Sequence, residues 1–191
     1  MQLDLLRHGQ TELGHTLRGS TDDALTAQGW NAMQHTVDQS SQPWQIIFTS
    51  PLQRCHAFAQ ALANQLKLPC STVNDLQEMH FGAWEGQTTQ DLYKTCPEKL
   101  AQFWQSPTQF TPPQAESIHA FSARIDNAIR EIEQIMQVKQ LNHALVVTHG
   151  GVIKYLKCRA LAESLDAILT MSAELAQLHH FNIHHGELAS I

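Results

Sequence analysis

The 191-residue chain has no apolar run of membrane-spanning length, no block of consecutive Lys/Arg, no Cys-x-x-Cys pair and no low-complexity tract. The first absence removes a helical membrane span from the reading. The second, with a formal net charge of −6, leaves no basic field to hold nucleic acid. The four cysteines (Cys55, Cys70, Cys96, Cys158) are widely spaced, which argues against a disulfide framework or zinc cluster and predicts reduced thiols. The N-terminal stretch Met1-Gln2-Leu3-Asp4-Leu5-Leu6-Arg7 carries an acid where a secretory leader needs uninterrupted apolar residues, so the expected location is cytoplasmic. Charged residues make up only 16% of the chain, so any anionic ligand must be held by a few placed cations. With 42% hydrophobic residues, the length suits one domain over 1–191 that buries its own core.

What is present alternates. Leu3 to Leu6 is an apolar run that stops at Arg7-His8-Gly9, as a buried strand does on meeting a loop. Residues 45–49 repeat the pattern, and Leu52, Phe58, Ala59, Leu62 and Leu66 then follow at helical spacing. Ala144 to Thr148 is a third such run, broken by His149-Gly150-Gly151 before Val152 to Leu156 resumes in helical style. Ile118, Phe121, Ile125, Ile129, Ile132 and Met136 mark one face of a long helix that Ser117 is placed to cap. Leu178 to Leu188 reads as two strands around a Gly turn, forming an antiparallel edge. Continuous apolar strands alternating with helices predict an α/β three-layer sandwich, with a mostly parallel sheet covered on both faces. Ligands in such folds sit beyond the carboxyl ends of the strands, where both His8 and His149 are expected.

Arg7-His8-Gly9-Gln10-Thr11 sets a cation, an imidazole and a flexible backbone at one strand end. Arginine gives bidentate bonds to phosphate oxygens, glycine admits backbone N–H groups, and the Thr11 hydroxyl can donate. An imidazole with an ordinary pKa near ~6.5 is largely free base at neutral pH and can attack phosphorus. Ser50-Pro51-Leu52-Gln53-Arg54 and Thr148-His149-Gly150-Gly151 bring two further strand ends to the same edge.

Together with Glu78 and Asp23-Ala24-Leu25-Thr26-Ala27-Gln28-Gly29, these motifs resemble the histidine phosphatase, or phosphoglycerate mutase-like, family over about four-fifths of the chain. The resemblance implies that His8 takes the phosphoryl group and that Arg7, Arg54 and His149 surround its oxygens. Thr11, Arg18 and Gly150 add substrate contacts, and Glu78 protonates the leaving alkoxide and then helps water attack. That role needs Glu78 protonated near neutral pH, which calls for burial beside Met79 and Phe81. Glu85 and Glu116 compete for the role; Glu85 reads better as a loop-ordering carboxylate and Glu116 as an acceptor near a helix start. Such phosphoryl transfer is mostly positioning and charge neutralisation, so no metal or other cofactor is expected. Two departures stand out. Relatives place an asparagine where this chain has Gly14, followed by His15, so a phosphate donor is missing there and Arg18 or His15 is left to compensate. Gly-Gly-Glu-Ser appears as Gln114-Ala115-Glu116-Ser117.

Within the family, Glu78-Met79-His80-Phe81-Gly82-Ala83-Trp84-Glu85-Gly86 resembles the segment of α-ribazole phosphatases of cobalamin assembly. A lid-like insertion over about residues 79–116 holds Phe81, Trp84, Tyr93, Phe103, Trp104 and Phe110, with Lys94 and Lys99 as its only basic residues. Such a lid suits a flat heterocycle, with Trp84 as a contact, or else forms its own small core. The expected partner is therefore a small-molecule phosphomonoester, with no nucleic acid or membrane; oligomeric state is left open. A broad sugar-phosphate phosphatase and a phosphoglycerate mutase are the alternative enzymes. A catalytically idle phospho-ligand module is the alternative of another class, disfavoured because mere binding needs neither nucleophile nor acid. His180 and His184 share a strand face but lie roughly ~13 Å apart, too far to share one ion.

Overall fold

The computed structural model describes residues 1–41 and 43–190. In chain order the elements are β1 (Gln2–Arg7), α1 (Ala27–Gln39), β2 (Ile46–Thr49), α2 (Gln53–Leu66), β3 (Cys70–Thr72), α3 (Thr89–Thr95) and α4 (Pro97–Gln105). They continue as α5 (Ile118–Val138), β4 (His143–Thr148), α6 (Gly150–Ala160), β5 (Leu178–His184) and β6 (Glu187–Ser190). The strands form one six-stranded sheet in the order β3-β2-β4-β1-β5-β6. The first four run parallel, while β5 pairs antiparallel with β1 and β6 antiparallel with β5. The expected α/β sandwich with a mostly parallel sheet is the observed fold, and the C-terminal hairpin turns at His185-Gly186, both at positive φ (50° and 78°).

Side chains alternate across each strand, and this divides the core in two. Leu3, Leu5, Ile46, Phe48, Ala144 and Val146 face the layer that holds α5 and α6. Leu6, Ile47, Leu145 and Val147 face Met33 and Val37 of α1 and Phe58 and Leu62 of α2. The apolar stripe of α5 is buried as its spacing predicts, and the Ser117 hydroxyl caps it by accepting from the Ala120 N–H at 3.1 Å. Each large apolar side chain so buried contributes about 1.5–3 kcal/mol. Leu66 departs from expectation: it ends α2 and is exposed, because Lys67 turns the chain left-handed just beyond it.

The register places the site. Arg7 pairs with Thr148, and Thr49 with Val147, so β1, β4 and β2 end side by side. His8, His149 and Ser50 are the residues just past those ends, and the His8 N–H donates to the Thr148 carbonyl at 3.0 Å.

Candidate active site

Beyond the strand ends lies a cavity of about 260 Å³ lined by Arg7, His8, Arg18, Glu78, Gly150 and Lys154 on its polar side. Leu17, Met79, Phe81, Phe103, Trp104 and Phe121 form much of the apolar side. A second cavity of about 220 Å³ adjoins it, sharing Arg7, Thr16 and Arg18 and adding Thr11, Gly14 and His15.

His8 is 6% exposed, and its Nδ1 lies 2.8 Å from the Gly9 carbonyl. A carbonyl only accepts, so Nδ1 carries the proton and Nε2 keeps its lone pair. Burial first, then the charges of Arg54, Arg7 and Arg18, push the His8 pKa down to about 3, against a smaller opposing effect from the Gly9 carbonyl. The ring is therefore a free base at neutral pH. His149 stands edge-on to it with ring centroids 5.3 Å apart. Fully buried beside Arg54, His149 is also held well below its ordinary value and is neutral; its Nε2 meets the Ser50 hydroxyl at 2.7 Å.

The cations are anchored by backbone carbonyls. The fully buried Arg54 donates to the carbonyls of Thr21 (2.7 Å) and Gly19 (2.9 Å), with Asp23 3.6 Å away. Arg18 pairs with Asp23 at 3.0 Å and also donates to the Thr11 hydroxyl and Gly14 carbonyl. Arg7 donates to the Ala173 carbonyl. The Asp23–Gly29 motif thus supplies an acid between two arginines, the Thr26 cap of α1 and a glycine whose backbone touches Gln10, since a Cβ on Gly29 would lie 2.1 Å from the Gln10 carbonyl oxygen.

Glu78 accepts from the N–H groups of Met79 and Gly151, both at 2.9 Å, which ties its carboxylate to the first turn of α6. The two glycines there have separate steric reasons. A Cβ on Gly150 would meet the Arg7 guanidinium at 3.0 Å, and one on Gly151 would lie 2.2 Å from Glu78 Oε1.

The competing acids are occupied elsewhere. Glu85 accepts from the N–H groups of Gly19, Ser20, Thr21 and Phe81 and from the Thr21 hydroxyl. Burial alone would raise its carboxyl, but those donors outweigh burial and hold it low. It orders the very loop whose carbonyls grip Arg54. Glu116 pairs with Arg124 at 2.8 Å, and Arg124 also donates to the carbonyls of Asp75, Gln77 and Glu78. Gln114, in the loop before α5, adopts φ +60°.

Of the sequence-based candidates, Arg7, His8, Arg18, Glu78 and Gly150 meet at the first cavity. Arg54 and His149 are fully buried and are not among the residues lining it. Thr11 opens onto the second cavity, with His15 and Gly14. Trp84 is displaced from its expected place as a substrate contact: it is 3% exposed and packs on Phe103 (5.6 Å) and Phe110 (6.1 Å), because the lid needs an apolar centre of its own. Tyr93 points outward, 70% exposed. The cavity role of Lys154, the Ser50–His149 contact and the pairing of Asp23 are not displayed by the sequence; the helical spacing of Lys154 after Gly150 is the one available signal.

A free-base imidazole and a glutamate sharing one cavity, with arginines clustered about them, make a site suited to phosphoryl transfer through histidine. The chain belongs to the histidine phosphatase superfamily, branch 1, whose family model matches residues 3–190. It is 28% identical over 172 residues to the adenosylcobalamin/alpha-ribazole phosphatase of Escherichia coli (strain K12), covering 88% of this chain and 83% of that protein. It is 33% identical over 181 residues to the bifunctional protein Rv2228c of Mycobacterium tuberculosis, covering 93% of this chain but 49% of that protein. The chain thus spans about half the length of that relative. Among solved structures, the alpha-ribazole phosphatase of Shigella flexneri superposes with a TM-score of 0.83 at 23% identity, over 100% of this chain and 95% of that one, a likeness of fold.

Proposed function

We propose that this phosphatase hydrolyses α-ribazole 5′-phosphate, a step of cobalamin nucleotide-loop synthesis, through a phosphohistidine on His8. The observation that carries the chemistry is a His8 ring fixed as free base with Nε2 unprotonated, on one cavity with Glu78 and Arg7. Nε2 attacks phosphorus, the ester bond breaks, and Glu78 gives its proton to the departing alkoxide. Water then attacks the phosphohistidine, Glu78 takes the proton back, and phosphate leaves. Arg7 and Arg18 neutralise the phosphoryl oxygens, while Arg54 adds its positive field and His149 packs edge-on against the His8 ring. Supporting the substrate are the 28% identity to a named alpha-ribazole phosphatase and the wall of Phe81, Phe103 and Trp104, which offers a flat heterocycle stacking surface. The described residues act as one catalytic domain, with residues 79–116 as its lid, in the cytoplasm.

The test pairs a trap with a panel. Brief incubation with labelled substrate is expected to leave acid-labile, base-stable phosphate on His8, and turnover should persist after exhaustive chelation. Label on Ser, Cys or Asp would overturn the mechanism. Across α-ribazole 5′-phosphate, sugar phosphates and 3-phosphoglycerate, the first should show the highest kcat/KM. Equal efficiencies would replace the substrate reading with a generalist one.

A further inference from the structure

Three cations line the first cavity: Arg7, Arg18 and Lys154. The two arginines are tied down by carbonyl, hydroxyl and carboxylate partners. The half-buried Lys154 side chain makes no hydrogen bond and no ion pair among the described residues. It lies on α6 four residues beyond Gly150, hence on the same helix face and about 6 Å further along. Gly150 sits against Arg7, and Gly151 holds Glu78. The phosphoryl group belongs at Arg7 and His8, and the leaving oxygen at Glu78. One turn further along the helix is therefore the place of the first atoms of the leaving alcohol.

Burial, and then Arg7, disfavour the charge on Lys154, while Glu78 and Glu174 favour it. With no protein partner among the described residues, the ammonium has N–H donors to spare, and in the proposed riboside ester the first acceptors past the ester oxygen are ring hydroxyls. The same cavity is lined by the apolar Ile168, Leu169, Phe103 and Trp104.

We propose that Lys154 is a specificity-determining residue that binds the ring hydroxyls of a pentose joined to the ester oxygen, so that the site selects a hydroxylated linker between phosphate and apolar body. This rests on the phosphatase reading of the site and deepens it, by saying which part of a riboside the protein recognises through a charged donor.

The experiment compares the wild type with Lys154→Met and Lys154→Arg on α-ribazole 5′-phosphate and its 2′,3′-dideoxy analogue. Ribose 5-phosphate and its 2,3-dideoxy analogue are run in parallel, with 3-phosphoglycerate as the carboxylated alcohol. Wild type is expected to lose at least tenfold in kcat/KM when the hydroxyls are removed. In Lys154→Met that penalty should shrink to under threefold in both series, and Lys154→Arg should retain most of it. An unchanged hydroxyl penalty in Lys154→Met overturns the proposal. So does a loss falling equally on hydroxylated and dideoxy esters, or one falling mainly on 3-phosphoglycerate. Poor turnover of the ribazole ester alone would sink the substrate assignment, while the ribose 5-phosphate pair would still decide the role of Lys154.

Discussion

An ordinary imidazole of pKa ~6.5 spends about a quarter of its time as a cation at pH 7, and a cation cannot attack phosphorus. His8 avoids this because desolvation and three guanidinium groups all push its pKa down. The same arginines that attract the phosphate therefore keep the nucleophile unprotonated. A consequence can be measured on the resting enzyme: the His8 and His149 ring resonances should not titrate between pH 8 and 5 in NMR spectra of the holo-length chain. A midpoint near 6.5 for His8 would mean that its burial is not maintained in solution. This electrostatic role was legible for Arg7, which is next in sequence to His8. It was not legible for Asp23, whose value lies in standing between Arg18 and Arg54. Glu85 was legible as a loop-ordering carboxylate, but the loop it orders lies 64 to 66 residues away, a separation that no local motif displays.

Helix α6 begins where chemistry and packing compete. Two successive glycines are poor helix formers, each about 1 kcal/mol worse than alanine in a helix interior. They are tolerated because Arg7 and Glu78 occupy the space their side chains would take. Gly151→Ala should therefore leave the melting temperature unchanged or slightly raised, yet lower kcat on alkyl phosphates by at least tenfold as Glu78 is displaced. Gly150→Ala, with its closest approach at 3.0 Å to a movable guanidinium, should be milder. Full activity in Gly151→Ala would show that Glu78 has no need of its present position. The elements themselves were legible in proportion to their burial. β2 and β4 are covered on both faces and read as apolar runs, and β1 as one interrupted only by Asp4. β3, with the polar sequence Cys70-Ser71-Thr72 at an edge, and α1, which buries only Gly29, Met33 and Val37, leave traces too thin to read unaided.

Four histidines are buried among the described residues: His143, which pairs with Asp4, and His8, His149 and His179, at 6%, 0% and 8% exposure. Burial depresses the last three, His8 to about 3 and His179 to about 4. Above pH 6.5 both the folded and unfolded chains carry them neutral, so nothing changes. Below it the unfolded chain takes up protons that the folded chain refuses, and stability falls until the pH reaches the folded values. The slope is up to about 1.4 kcal/mol per pH unit for each histidine. The urea midpoint is thus expected to drop steadily from pH 7 to pH 5, and His179→Leu should flatten that dependence; an equally steep curve in the variant would refute the assignment. Asp4, fully buried, is raised by burial but lowered more by the bonds it accepts from His180 and Trp44 and by the nearby His143. Its contribution is present above the ordinary carboxyl range and is lost only at lower pH. The sheet order carries a different kind of consequence. β4 lies between β2 and β1, so the two strands made first cannot pair with each other and must await residues 143–148. At translation rates of roughly 5–20 residues per second, the slot between them stays unfilled for on the order of ten seconds of synthesis. During that interval the emerging chain carries two exposed strand edges and no completed catalytic pair, which must wait for β4 and His149.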